Sequence, residues 1–121
     1  MRRLEFVSLQ VRDLDKSKEF YSTKLGFETL EMNNTEAVVF KYNKGEASFA
    51  IRKPIGNIEN KELGNGVSLW FAIDGSIESL REDFVQKNLT ILGAINQTPF
   101  GKTLLVKDPD GYVITFMEPN Y

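Results

Sequence analysis

The chemistry open to this chain is bounded first by two side chains it lacks. Among its 121 residues there is no histidine and no cysteine. The commonest general base, which is also the commonest transition-metal ligand, is therefore missing. Disulfides, thiolate nucleophiles and cysteine metal sites are excluded as well. Acid–base work would have to fall on Glu, Tyr, Lys or Arg, and no spacing of paired carboxylates compels that role. Glu5, Glu36, Glu46 and Glu118 read as solvated strand faces. The single tryptophan, Trp70, fits two roles that stay open here: a core or dimer-interface residue, or a platform on which a ligand stacks.

The elements that must position such groups are best read from Leu104 to Pro119, LLVKDPDGYVITFMEP. Pro109 presets φ for a turn and Gly111 can adopt the positive φ of a tight reversal. The flanks are rich in Val, Ile, Thr, Phe and Tyr, which predicts two antiparallel strands, 101–107 and 112–118. At the other end, Leu4 to Val11 alternates: Val7, Leu9 and Val11 fall on one face, Phe6, Ser8 and Gln10 on the other. Leu14, Phe20 and Leu25 then recur at helical spacing, with Asp13 or Asp15 to cap and Gly26 to stop, predicting a helix over about 14–25. Strands are expected over 27–32, 36–42 and 47–53, with turns at Asn33-Asn34 and Asn43-Lys44-Gly45.

Residues 54–66, rich in Pro, Gly and Asn and without periodicity, read as a linker or mobile loop. The order then repeats: a strand over 67–73, an amphipathic helix over 77–88 with Ile77, Leu80, Phe84 and Val85 on one side, and strands from about 89–95 onward. Each half is thus strand, helix, three strands. A weak echo supports duplication: VSLQVRDLDKSKEFY against SLWFAIDGSIESLRE, and KYNKGEASFAIRKP against KDPDGYVITFMEP.

At this length the chain makes one domain, 1–121, with an ordinary soluble composition of 41% hydrophobic and 26% charged residues. A net charge of -2 without a basic block argues against a nucleic-acid partner. No apolar run reaches the roughly 18 residues of a spanning helix, and the start, MRRLEFVSLQV, lacks a signal's apolar middle. A cytoplasmic protein without membrane contact is expected.

The string VSLQVRDLDKSKEFYSTKLGFE, followed by the closing DPDGYVITFMEP, resembles the vicinal oxygen chelate superfamily. That superfamily includes glyoxalase I, extradiol dioxygenases, fosfomycin-modifying enzymes and bleomycin-resistance proteins. The resemblance spans about residues 4–119 and implies an α+β fold. Two βαβββ modules, about 4–53 and 67–119, would form curled mixed sheets around a cleft, often completed by a second subunit. A homodimer is expected.

In metal-dependent members four cleft positions carry His, Glu or Gln ligands. By this resemblance they fall on Phe6, Ala50 (or its neighbour Phe49), Ser68 and Thr115. None is a usual ligand for a divalent metal, so no metal and no cofactor are expected. Phe6 can simply plug the space of a vanished metal site. By strand parity the implied cleft would be lined by Phe6, Ser8 and Gln10, by Ser48, Ala50 and Arg52, by Ser68, Trp70 and Ala72, and by Val113, Thr115 and Met117. Rings, methyls, a few hydroxyls, an amide and a guanidinium suit a small aromatic or amphipathic organic ligand.

The resemblance is nearest to the metal-free bleomycin-resistance branch, which implies sequestration without turnover. The alternative is an enzyme of the same fold, a lyase, isomerase or dioxygenase with atypical or no metal ligands. A dimeric module that regulates or scaffolds a neighbour is a third possibility, because fold alone does not choose among them.

Overall fold

A computed structural model describes all residues, Met1–Tyr121. They form two compact units, Met1–Lys61 and Glu62–Tyr121. The architecture is α+β, with one mixed sheet in each unit.

In the first unit β1 (Phe6–Gln10) runs parallel to β3 (Ser48–Arg52), and β2 (Ala37–Val39) adds to β3 in antiparallel fashion. Helix α1 (Leu14–Glu19) starts where expected, because the Asp13 carboxylate accepts from the Lys16 amide at 3.1 Å. It continues as a π-type turn, Phe20–Lys24, in which the Leu25 amide reaches back to the Phe20 carbonyl at 3.0 Å. This continuation carries Phe20 and Tyr21 into the core. The ring of Tyr21 meets Phe40 and Phe49 at centroid distances of 5.7 and 5.9 Å, and Phe27 meets Phe49 at 4.9 Å. Aromatic packing of this kind supplies both large apolar burial and edge-to-face attraction.

The strand expected over 27–32 is reduced to one bridge, Thr29 to Phe40. Two backbone bonds flank it, Leu30 to Val39 at 2.8 Å and Lys41 to Glu28 at 2.9 Å. Phe27 anchors the start of the segment against Phe49, but Leu30 and Met32 beyond the bridge are exposed, so its far end has no large buried apolar side chain to extend the pairing. The 54–66 stretch carries no helix or strand, yet its first half is tied down. An Arg12 Nη2 donates to the carbonyls of Ile58 at 3.0 Å and Lys61 at 2.7 Å, and Ile58 is buried.

The second unit has strand order β4 (Leu69–Ala72), β8 (Val113–Pro119), β7 (Gly101–Lys107), β5 (Thr90–Ile91), with β6 (Asn96–Thr98) also on β7. β4 is parallel to β8, which forms an antiparallel hairpin with β7. At the hairpin's turn Asp108 is buried, 6% exposed, and its carboxylate accepts from the amides of Asp110 and Tyr112, both at 2.9 Å. The expected strand over 89–95 breaks after β5 (Thr90–Ile91), where Gly93 takes φ +79. The chain then rejoins β7 as β6 (Asn96–Thr98), a strand with no counterpart in the expected pattern.

Helix α2 (Ile77–Gln86) starts at Ser76, whose hydroxyl accepts from the Ser79 amide at 3.2 Å. A second cap arrives from the sheet: Glu118 on β8 accepts from the Ile77 amide at 2.8 Å. Phe84, fully buried, packs edge-on to Phe116 at 5.4 Å. Outside this core, Lys102 on β7 pairs with Glu78 at 2.9 Å. The hydrogen bond from Lys102, helped by a backbone amide and Ser76, holds the Glu78 carboxyl below the usual carboxylate range; the same bond raises Lys102. The Glu78 contribution is present at neutral pH and fades as pH falls through its lowered pKa. The Lys102 contribution fades only as pH rises through its raised one. Both groups are exposed, so water and salt screen the pair, and the seating of α2 rests on Phe84 and the caps.

Asp108→Ala strips a charged acceptor from two amides and is expected to cost about 2 kcal/mol or more. Gly101 sits at φ +153, where an added Cβ would run into the Glu118 backbone, so Gly101→Ala is expected to cost at least ~2 kcal/mol. Urea unfolding measures both, and a loss under ~0.5 kcal/mol for Asp108→Ala would show that the turn holds without its carboxylate.

Candidate functional site

Each sheet packs one face against its helix, and the candidate residues lie on the other. In the first unit Phe6 lies opposite Ser48, Ser8 opposite Ala50, and Gln10 opposite Arg52, so all of these share one face. Leu9, Phe49 and Ile51 are buried on the opposite face, where Phe49 joins the aromatic core. Ala50, and not Phe49, therefore shares the face of Phe6 and Ser8, although it is fully buried there. Phe6 keeps 47% of its surface exposed. Two polar members of this face already have internal partners. The Gln10 side-chain carbonyl accepts from the Ile55 amide at 2.8 Å, and Arg52 Nε donates to the Lys53 carbonyl at 3.0 Å. Gln10 thus anchors the loop after β3, a role the sequence pattern did not signal.

In the second unit Trp70 lies opposite Thr115 and Ala72 opposite Met117, which puts the expected residues of β4 and β8 on one face. Ser68, just before β4, accepts from Trp70 Nε1 at 2.7 Å and so fixes the tilt of the indole. Trp70 is 45% exposed, whereas Thr115, between Trp70 on β4 and Leu105 on β7, is only 2% exposed. Thr115 shares the face but presents almost no surface.

Beside Trp70 opens an apolar hollow of about 480 Å³, lined by Trp70, Pro99, Phe100, Met117, Asn120 and Tyr121. Of these, only Trp70 and Met117 were expected. The others come from the β6–β7 turn and from the residues following β8. A signal was present in TPFG: a large ring beside Pro and Gly at a turn has little chance of burial. A second, polar hollow in the first unit is edged by Arg12, Asp13, Asp15, Glu36 and Lys53. There Asp13 is committed to capping α1, and Arg12 to loop carbonyls. No helix of the protein is long and apolar enough to cross a membrane.

Comparison with known proteins bears on what such faces do. The family model of the Glyoxalase/Bleomycin resistance protein/Dioxygenase superfamily matches residues 3–116. No curated protein matches the chain. Among solved structures, TnmS3, an antibiotic binding protein from Streptomyces sp. CB03234, is similar with TM-score 0.76 and 20% identity, covering 99% of this chain and 98% of its own. A superfamily member from Sphaerobacter thermophilus gives 0.73 at 21% identity, with 98% of each chain covered. An integron cassette protein from the mobile metagenome of V. cholerae gives 0.73 at 19%, covering 98% of this chain and 95% of that one. At these identities the likeness is one of fold.

The metal that many such folds hold does not fit the donors present here. The four corresponding positions offer a ring at Phe6, a buried methyl at Ala50, and hydroxyls at Ser68 and Thr115. The Ser68 hydroxyl already accepts from Trp70, and no group of three or more Asp or Glu side chains stands ready elsewhere. Divalent ions need imidazole, thiolate or carboxylate oxygen. Protein purified without chelator is expected to carry only substoichiometric zinc, iron, nickel or manganese, and EDTA should leave its melting temperature unchanged. A stoichiometric metal on elemental analysis, with a melting temperature lowered by EDTA, would overturn this assignment.

Proposed function

We propose that this chain, which belongs to the glyoxalase/bleomycin resistance protein/dioxygenase superfamily, binds a small aromatic or amphipathic organic molecule and sequesters it without turnover. The observation that carries this reading is the apolar hollow beside Trp70, whose volume of about 480 Å³ lies within the range typical of drug-sized ligands. Ligand-facing roles are proposed for Ser68, Trp70 and Met117 on the second sheet, with the buried Thr115 supporting them from between the strands. On the first sheet they are proposed for Phe6, Ser8, Gln10 and Arg52, with the buried Ala50 behind them. The antibiotic-binding neighbour from Streptomyces supports the reading by analogy of fold. The proposed setting is the cytoplasm, where a sequestering protein meets a drug before its target does.

The absence of histidine and cysteine also supports binding over catalysis, because the carboxylates that remain lie away from the hollow's lining. A homodimer is proposed as the working form. Phe6 on β1 and Val67 and Trp70 at β4 are exposed apolar side chains on strands that lie at the ends of their sheets.

Two measurements test this. Titrating bleomycin and other aromatic antibiotics is expected to quench Trp70 emission saturably, and the compounds should be recovered with unchanged mass. Chemical conversion of a bound compound would replace sequestration with enzymatic turnover. Sedimentation velocity over a wide concentration range is expected to show a dimer, and a monomer throughout would remove that element.

A further inference from the structure

From the hollow's frame we infer that it is a two-walled aromatic corner selective for flat aromatic molecules without negative charge, with Phe100 as its second recognition wall and Asn120 as the residue that positions it. The inference rests on the small-molecule-binding reading and names the class of ligand that reading leaves open.

The two walls are Trp70 and Phe100. Their rings stand at 89° with centroids 6.3 Å apart. Rings this close and perpendicular already touch edge to face, so no ligand fits between them as a sandwich. A flat molecule stacks on one ring and meets the other with its edge, and both contacts are lost to a saturated molecule of equal volume. Met117 floors the corner with a polarizable side chain that suits π surface.

Phe100 is 65% exposed and would be free to swing were its turn not locked. The Thr98 hydroxyl donates to the Gly101 carbonyl at 2.8 Å and accepts from the amides of Phe100 and Gly101, both at 3.2 Å. Asn120 then lashes the turn to the segment after β8. Its amide donates to the Phe100 carbonyl and its side-chain Nδ2 to the Pro99 carbonyl, both at 3.1 Å. Such bonds hold a wall in its bound orientation before a ligand arrives, which lowers the ordering cost of binding.

The same bonds decide charge. Trp70 Nε1 is engaged by Ser68, Asn120 Nδ2 by Pro99, and no charged side chain lines the hollow. An anion entering it would meet the negative faces of two rings and no positive charge; the Tyr121 hydroxyl and the second Asn120 N–H are the lining donors left to it, too few to replace its water.

Calorimetric titration with three molecules built on the same two-ring skeleton tests the inference: 2-naphthol, naphthalene-2-sulfonate and decahydro-2-naphthol. The native protein is expected to bind 2-naphthol at least about ten-fold more tightly than either of the others. Phe100→Leu keeps apolar bulk and should weaken 2-naphthol by roughly three- to ten-fold. Asn120→Ala should weaken it similarly, with amide exchange at Phe100 and Gly101 accelerated and the melting temperature unchanged. Equal binding of the three molecules, or native affinity in both variants, overturns the corner. Amide shifts of 2-naphthol confined to Ser8, Gln10 and Arg52 would do the same while leaving ligand binding in force. Binding of none of the three, nor of any aromatic antibiotic, removes both readings together.

Discussion

The buried carboxylate of Asp108 sets the geometry on which the second unit depends. By accepting from two amides of its own turn, it fixes where β7 ends and β8 begins. Because strand side chains alternate, a slip of one residue there would turn every side chain of β8 to the wrong face. The register that results puts Phe116 on the helix side against Phe84, and Thr115 and Met117 on the side of Trp70. Glu118, the next residue on the helix side, then reaches the first amide of α2. One turn therefore sets both the seating of a helix and the sheet face that carries Trp70, Thr115 and Met117.

The first unit solves the same problem with packing in place of a buried charge. Its turns are closed by exposed side chains, Asn34 on the Glu36 amide and Glu46 on the Asn43 amide, and the strand expected at 27–32 barely forms. What holds the register is the cluster of Tyr21, Phe27, Phe40 and Phe49, which commits one face of β3 to the helix. Small residues remain for the other face: Ser48 and Ala50 are buried without projecting far, so Phe6 and Ser8 dominate the surface there.

Around the hollow, polar atoms are spent on the frame more than offered to a ligand. Trp70 and Ser68 satisfy one another, and Asn120 satisfies the Pro99–Phe100 turn. The lining that remains is mostly rings and the Met117 thioether, with no Asp or Glu side chain among its residues. By the sequence resemblance, the ligand positions of the superfamily's metal-using members fall on Phe6, Ala50, Ser68 and Thr115, none a usual ligand for a divalent ion.

The sequence alone determined which residues share a strand face, because alternation is a property of the backbone and survives whatever packs upon it. It was enough to group Phe6, Ser8 and Gln10 with Arg52, to group Trp70 with Thr115, and to anticipate the Asp13 cap and the hairpin at 108–111. It also determined what chemistry was absent, since a chain without histidine or cysteine cannot regain them by folding. Tertiary structure decided what depends on neighbours distant in sequence. It cut the 27–32 strand to a bridge, broke 89–95 at Gly93, and withdrew Thr115 between adjacent strands. It spent Gln10 on the Ile55 amide and brought Phe100 against Trp70, 30 residues earlier. Burial and side-chain partnership are set by distances across the fold, and no local periodicity carries them.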